Sequence, residues 1–141
     1  MGIGTDSART VQGFTSRQQI EGTSATTSSL SLVRNSNSVD PPYLNFGKSR
    51  STSVGGSAIV QADDVLGRLD FAGANGSNIN DLAARIDVRV DGTPGSSGDM
   101  PGRITFSTSA DGSAAPTQRL KIPKTGGIVF SGGDSAESDA L

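Results

Sequence analysis

The side chains that could do chemistry in this chain are those of Asp, Glu, Ser, Lys and Tyr, because the sequence contains no cysteine and no histidine. Their absence excludes disulfides, thiolate nucleophiles, zinc sites of the usual nitrogen and sulfur type, and every histidine-dependent triad. Two carboxylates at a fixed separation can hydrolyse a glycosidic bond if one of them has a raised pKa. The candidates lie in or beside apolar segments of the chain: Asp63, Asp64, Asp70, Asp87 and Asp99.

The spacing of these aspartates favours a structural role over catalysis. Asp63 and Asp64 are adjacent, so on a strand they would point to opposite faces and could not share a site. Clefts that cleave sugars favour aromatic platforms, and the chain has one Tyr and no Trp. We therefore expect loops and solvated strand faces here, and a protein that is not an enzyme. No spaced oxygen ligands resemble a calcium loop, and we expect neither metal nor cofactor.

The segment from Leu82 to Gly92, LAARIDVRVDG, is the clearest structural element. Three β-branched residues alternate there with four charged residues, and a period of two places the two sets on opposite faces of a strand. The charged set is expected to form ion pairs between strands or between chains, each contributing about 0.2–1 kcal/mol. Contact with a surface polysaccharide or another anion is the alternative. The charged set is Arg85, Asp87, Arg89 and Asp91, and the neighbouring candidates for pairing are Arg68, Arg103 and Arg119.

The rest of the chain repeats this plan of a short alternating segment followed by Gly, Ser, Asp or Asn. The pattern predicts seven or eight short strands and no helix. The strand around Ile104 is the predicted partner of the strand around Val88, with Thr93 to Pro101 as their connection. The fold class is therefore all-β, with short antiparallel strands and Gly/Ser-rich loops. Predicted strands cover residues 30–34, 43–49, 58–61, 65–73, 82–92, 102–112, 118–122 and 126–130.

The chain has few apolar residues with which to form a hydrophobic core of its own. Hydrophobic residues make up 33% of the 141 residues, whereas globular domains usually reach about 45–50% on a count that includes Gly. A net charge of only −2 argues against disorder. A chain that folds with so little apolar material can complete its interior with copies of itself, so we expect an oligomer.

Charge and hydropathy indicate whether the chain binds nucleic acid or enters a membrane. The charges are scattered and the pI is about 4.9, whereas a nucleic-acid surface shows clustered Lys and Arg. No apolar run is long enough to cross a bilayer, and MGIGTDSART lacks the layout of a secretory signal. We expect no nucleic-acid partner and no membrane insertion.

Four motifs follow one another between Tyr43 and Ile122: YLNFGKSR, DVLGRLDFAGANG, DGTPGSSGDMPGRITFSTSADG and PTQRLKI. Their order resembles a module of bacteriophage tail fibres and related virion fibres, over a little more than half of the chain. MGIGTDSAR resembles a spacer repeat of fibre shafts. GGIVFSGGDSAESDAL resembles the segment that often precedes a receptor-binding or chaperone domain in such fibres.

The resemblance implies a homotrimeric virion fibre in which three chains intertwine, on the tail or on the capsid surface, with a role in host attachment. Other tail or capsid proteins are the implied partners, and a host surface polysaccharide is a further candidate. Two alternatives stay open: a receptor- or glycan-binding module acting through 72–80 and 93–100, and a fragment of a polysaccharide depolymerase tailspike. Family fibres usually run for hundreds of residues, so this chain is expected to be a fragment, a processed piece or a short stand-alone fibre or decoration protein.

These considerations predict the domain organisation and the residues that form the trimer. Residues 1–42 would be a polar shaft or attachment segment, 43–130 a β-rich fibre module, and 131–141 an acidic tail. Apolar stripes of three chains would meet at or near a common axis, which pools their burial. The residues of these stripes are Leu44, Phe46, Leu69, Phe71, Ile86, Val88, Val90, Ile104, Phe106, Leu120 and Ile122.

Overall fold

The structure, a computed structural model, describes residues 2–3 and 8–131. The predicted acidic tail, apart from residue 131, lies outside the described residues. Within them the chain forms strands and no helix, so the predicted all-β class is confirmed. The chain divides into two compact units, one made of Met1–Asn45 with Ala74–Asn80 and the other of Phe46–Gly73 with Asp81–Leu141.

The first unit contains four strands of two residues each. Strand β1 (Gly2–Ile3) pairs in parallel with β4 (Gln19–Ile20), and β2 (Thr10–Val11) pairs antiparallel with β3 (Phe14–Thr15). The β2–β3 turn places Gln12 at φ 52° and Gly13 at φ 76°, as a tight two-residue hairpin requires. The backbone amide of Gln12 donates a hydrogen bond to the carbonyl of Ile79, at 3.0 Å.

The second unit is built on a five-stranded antiparallel sheet in which each strand pairs with the next along the chain. The predicted pairing of the Val88 and Ile104 strands is confirmed, because these two residues are register partners. Asp91-Gly92 follows the longest strand, with Gly92 at φ 132°. The strands are β5 (Val65–Gly73), β6 (Asp81–Val90), β7 (Gly102–Thr108), β8 (Thr117–Ile122) and β9 (Val129–Phe130).

The register gives this sheet two chemically distinct faces. One row across all five strands is apolar, and a second apolar row runs beside it through Val88, Ile104 and Ile122. The opposite face carries the row of Arg68, Asp87 and Thr105. The alternation that is clearest in β6 therefore extends over the whole sheet. The five-strand apolar row consists of Leu69, Ile86, Phe106, Leu120 and Phe130.

The strands predicted at residues 30–34, 43–49 and 58–61 are absent, and those predictions were wrong for the single chain. The described backbone contains no strand between Ile20 and Val65. An alternating sequence becomes a strand only where a neighbouring edge supplies hydrogen bonds. Within this stretch the bond from the amide of Arg50 to the carbonyl of Ala58, at 3.2 Å, closes only a loop.

The predicted shortage of private core is confirmed. Among the described residues the buried apolar side chains are Val60, Leu82 and Val90, of which Val90 alone is completely buried. Two polar residues, Asp87 and Thr105, are buried as deeply as Val60 and Leu82. Most large apolar side chains of the described chain keep more than a third of their surface in solvent. The second unit is a single layer, whereas domains usually stack two.

Gly67 makes room for Phe46 on the face of the sheet that carries Val88. A Cβ atom at position 67 would lie 2.8 Å from the Cβ of Phe46, closer than carbon atoms pack. Gly67→Ala is therefore expected to displace Phe46 and to lower the free energy of unfolding by about 1–3 kcal/mol. Thermal unfolding at a fixed protein concentration measures this change.

The matched control for that variant is Gly73→Ala, because a Cβ atom at position 73 of the same strand meets nothing within 4 Å. We expect its melting temperature to equal or slightly exceed that of the unaltered chain. Equal melting temperatures for the two variants would contradict the packing of Phe46 on Gly67.

Candidate functional site

The apolar face of the sheet is the surface best suited to bind another surface. We use "apolar face" for the side of β5–β9 that carries Val88. On this face, beside Thr108, whose hydroxyl accepts a hydrogen bond from Arg119, lie nine apolar side chains from all five strands. They are Leu69, Phe71, Ile86, Val88, Ile104, Phe106, Leu120, Ile122 and Phe130.

The apolar face is largely uncovered. Val88 and Phe106, near its centre, are each 37% exposed, Phe71 is 52% exposed, and Phe130 at the edge is 66% exposed. Transfer of such surface out of water is favourable by about 25 cal/mol per Å². Contiguous apolar patches of this kind mark interaction surfaces in soluble proteins. The chemistry available to this surface is association with another apolar surface.

Most of the residues predicted to form the trimer are brought together here. Val90 shares the apolar side of β6 but is completely buried within the chain. Phe46 lies against Gly67, and Leu44 belongs to the other unit. Phe130 joins the face although it was not among the predicted residues. Its signal was the alternation with Ile128, but only the register with Leu120 places it on this side.

The opposite face is held by ion pairs between arginines and aspartates of one chain. Asp87, 5% exposed, accepts hydrogen bonds from the Nε of Arg68 at 2.6 Å and from the Nη2 of Arg89 at 3.0 Å. Arg85 pairs with Asp70 of the adjacent strand at 2.6 Å. The Arg68–Asp87 and Arg85–Asp70 pairs cross between strands, as predicted, whereas Arg89 and Asp87 belong to the same strand. Pairing of the same residues with a neighbouring chain stays a prediction.

A second ion-pair cluster lies at the end of the sheet, around Arg103. Its guanidinium donates to Asp91 at 3.0 Å, to Asp63 at 2.6 Å and to the carbonyl of Val90 at 3.3 Å. Asp91 also accepts a hydrogen bond from the amide of Lys124, at 3.0 Å. The cluster thus joins β7 to three loops. Arg119, the third predicted partner, donates instead to the hydroxyl of Thr108, at 3.1 Å.

Four of the five aspartates considered for glycoside hydrolysis, all except Asp99, are engaged by arginines in the described chain. Asp64 receives two hydrogen bonds of 2.7 Å from Arg50, a partner that sequence analysis missed because it lies in a loop 14 residues away. Asp63, Asp70 and Asp87 are likewise paired. A general acid needs a raised pKa. The guanidinium of Arg50 and the amide of Gln61 instead hold the pKa of Asp64 well below its usual range.

Two further carboxyl groups have lowered pKa values. Burial of Asp87 by itself would raise its pKa, but the hydrogen bonds from Arg68 and Arg89 outweigh burial and lower it. The amide of Lys124, followed by Arg103, lowers the pKa of Asp91. Each of these carboxylates prefers its ionised form in the folded chain, which suits a fixed structural ion pair.

These shifts predict how stability depends on pH. A carboxyl group whose pKa is lowered by folding stabilises the folded state above its unfolded pKa, about 3.9 for Asp. That stability is lost as pH falls through the folded value. We expect the free energy of unfolding to stay constant from pH 7 to about 5 and to decline from about pH 4 downward. Urea unfolding at each pH measures it, and a decline between pH 7 and 5 would contradict the assignment.

Two loops of the second unit border an open groove of about 1060 Å³. Lys48 and Asp99 supply charged groups, the stretch 58–60 and Met100 supply apolar surface, and Gly and Ser residues form the rest of the lining. The stretch 95–100 belongs to one of the two loops predicted for receptor recognition. The other predicted loop lies mostly within Ala74–Asn80, in the first unit.

Comparisons with known proteins give no family assignment. The chain matches no protein-family model and no curated protein. In the described residues no group of acidic side chains is placed to hold a metal ion. The described chain also contains no helix with the length and hydropathy needed to span a membrane.

Proposed function

We propose that this chain is a structural module of a bacteriophage virion fibre, on the tail or on the capsid surface. In this proposal identical copies, three in number, bury their apolar faces against one another and form the core that a single chain lacks. The observation that carries the proposal is the uncovered apolar face, where nine apolar side chains from five strands lie together.

The two faces of the sheet suit an assembled fibre. When the apolar faces turn inward, the face with the Arg68–Asp87 and Arg85–Asp70 pairs turns to solvent. These pairs join neighbouring strands within one chain, so each sheet keeps its own register while the copies associate. A large apolar side chain that becomes fully buried contributes about 1.5–3 kcal/mol. Nine partly buried side chains per copy therefore provide a substantial driving force.

The choice of a phage fibre, and of three copies, comes from the sequence resemblance between Tyr43 and Ile122. The exposed face supports self-association of some order and does not itself select the number. The engaged aspartates favour a mechanical role, and we propose that the chain is not an enzyme. Its partners would be other virion proteins, through which the fibre would take part in host attachment.

Immunogold labelling tests the location. Antibodies raised against the purified chain are expected to label fibres on the tail or head of intact particles that carry this gene. Antibody that was first saturated with the purified chain is the control and should leave the particles bare. Particles without label, in a lysate that contains the chain free in solution, would contradict a structural virion role.

A second candidate function, recognition of a host receptor or glycan, is favoured by the groove beside 95–100. Serine hydroxyls, Lys48 and Asp99 offer hydrogen bonds of the kind that sugars accept and donate. The purified protein would then block phage adsorption, and the double variant Lys48→Ala/Asp99→Ala would lose that effect. Asp111→Ala, in a turn outside the groove lining, is the matched control. Full blocking by the double variant would exclude this groove.

A further inference from the structure

The segment from residue 29 to residue 45, here called the arm, lacks the contacts that usually fix a chain. The backbone hydrogen bonds of the described chain stop at Ser28 and resume at Arg50. Every residue of the arm is exposed. Within the arm, a bend is held by hydrogen bonds that Arg34 donates to Ser38, at 3.0 Å, and to Asp40, at 3.4 Å. The arm is therefore two short extended stretches joined by a polar bend.

Both stretches of the arm carry apolar side chains in solvent. Leu30 is 66% exposed and Val33 76% exposed before the bend, and Tyr43 and Leu44 are just over 60% exposed after it. The charged groups of the arm, Arg34 and Asp40, pair with each other at the bend. The stretches themselves are uncharged. Two apolar surfaces of one chain thus remain exposed together, which is unfavourable in water.

The arm continues directly into the apolar face. Phe46, the residue after it, already packs on Gly67 of β5, and β5 is an edge strand of the sheet. The seventeen residues from Leu30 to Phe46 can span up to roughly 50 Å when extended. A five-stranded sheet is only about 20 Å across, at 4.7–4.9 Å per strand. The arm is long enough to reach beyond its own sheet.

We infer that the arm of one copy packs on the apolar face of a second copy. This inference rests on the proposed self-association and adds the arm of a neighbouring copy to the surfaces that cover each face. Each copy supplies one arm and one face, so the exchange covers every face in a closed ring. It also gives the apolar side chains at residues 30–34 and 43–46 a surface to pack on, which the single chain does not offer them.

Cross-linking tests the inference. Because the chain has no cysteine, a maleimide cross-linker labels only a cysteine that is introduced. The variant Leu30→Cys is labelled with a benzophenone maleimide, unfolded and refolded with an equal amount of ¹⁵N-labelled unaltered chain, and illuminated. We expect cross-linked peptides that combine both isotopes and join residue 30 to β6, β7 or β8. Val39→Cys, at the exposed bend, is the matched control and should give no such peptides.

The other outcomes overturn the inference. Cross-links from residue 30 to the sheet of the same chain would show that each arm covers its own face. Cross-links to another arm, or none to any sheet, would show that the face is covered by something else. The light-scattering mass of the unaltered chain separates the two proposals. The mass of one chain would contradict self-association itself. The mass of an oligomer, without arm-to-face cross-links, would contradict only the exchange of arms.

A second variant removes the apolar groups without a label. Leu30→Ser/Leu32→Ser is expected to raise the dissociation constant of the assembly by about tenfold or more, since each leucine loses its burial. The strand signal in circular dichroism should stay unchanged, because neither residue belongs to the sheet. Val39→Ser should leave the dissociation constant as it was. An unchanged constant for the double serine variant would overturn the inference.

Discussion

The Val88→Asp variant is expected to be a folded single chain that no longer assembles. Val88 lies near the centre of the apolar face, between Gly67 and Ile104 in the register. In a single chain it is 37% exposed, so an aspartate there keeps contact with water. In the assembly the same carboxylate would be buried without a partner, at a cost of several kcal/mol per copy. The dissociation constant should rise roughly a thousandfold or more.

Light-scattering mass measures this effect, and circular dichroism shows that the sheet is intact. The matched control is Ser107→Asp, which places the same charge on the opposite face, where position 107 is the register partner of Arg85. The control should keep the mass of the unaltered protein. An assembled Val88→Asp protein, with the same mass as the unaltered one, would contradict the role of the apolar face.

The Asp87→Ala variant is expected to lose about 2–3 kcal/mol of unfolding free energy. It removes the carboxylate that Arg68 and Arg89 share on the other face of the sheet. Removing one partner of a fully buried ion pair costs about 3–5 kcal/mol. The two arginine side chains are about one third exposed (34% and 31%), so water compensates part of that cost. Urea unfolding at a fixed protein concentration measures the change.

Glu21→Ala is the control for that experiment. It removes an exposed ion pair, since Arg9 and Glu21 lie 2.9 Å apart with 55% and 35% of their side chains in solvent. Its expected cost is below about 1 kcal/mol. Equal losses for the two variants would show that the buried position of Asp87 contributes nothing.

The sheet could be predicted from the sequence because the alternation that defines each strand lies within a short segment of the chain. A period of two in residues 82–90 defines both faces of β6, and the same period defines β5, β7 and β8. The pairing of β6 with β7 follows from their proximity along the chain. Two arginine partners, Arg68 and Arg103, could be proposed because they flank predicted strands. The strand class and the separation of charged from apolar residues therefore needed no tertiary information.

The remaining features depend on distances that a sequence does not encode locally. The pairing of Arg50 with Asp64 joins two irregular segments, and the place of Phe130 depends on its register with Leu120. The strands predicted around Leu30 and Leu44 have the right alternation, yet the single chain offers them no partner. Period alone cannot show whether a strand's neighbour belongs to the same chain.

The most direct test is the mass of the unaltered protein in dilute solution, measured by light scattering and followed by thermal unfolding of the same sample. Our account predicts about 43 kDa, three times the 14.3 kDa of one chain, with a melting temperature that rises with protein concentration. A particle of 14.3 kDa that melts cooperatively, at a temperature independent of concentration, would contradict the claim that copies of this chain complete one another's core.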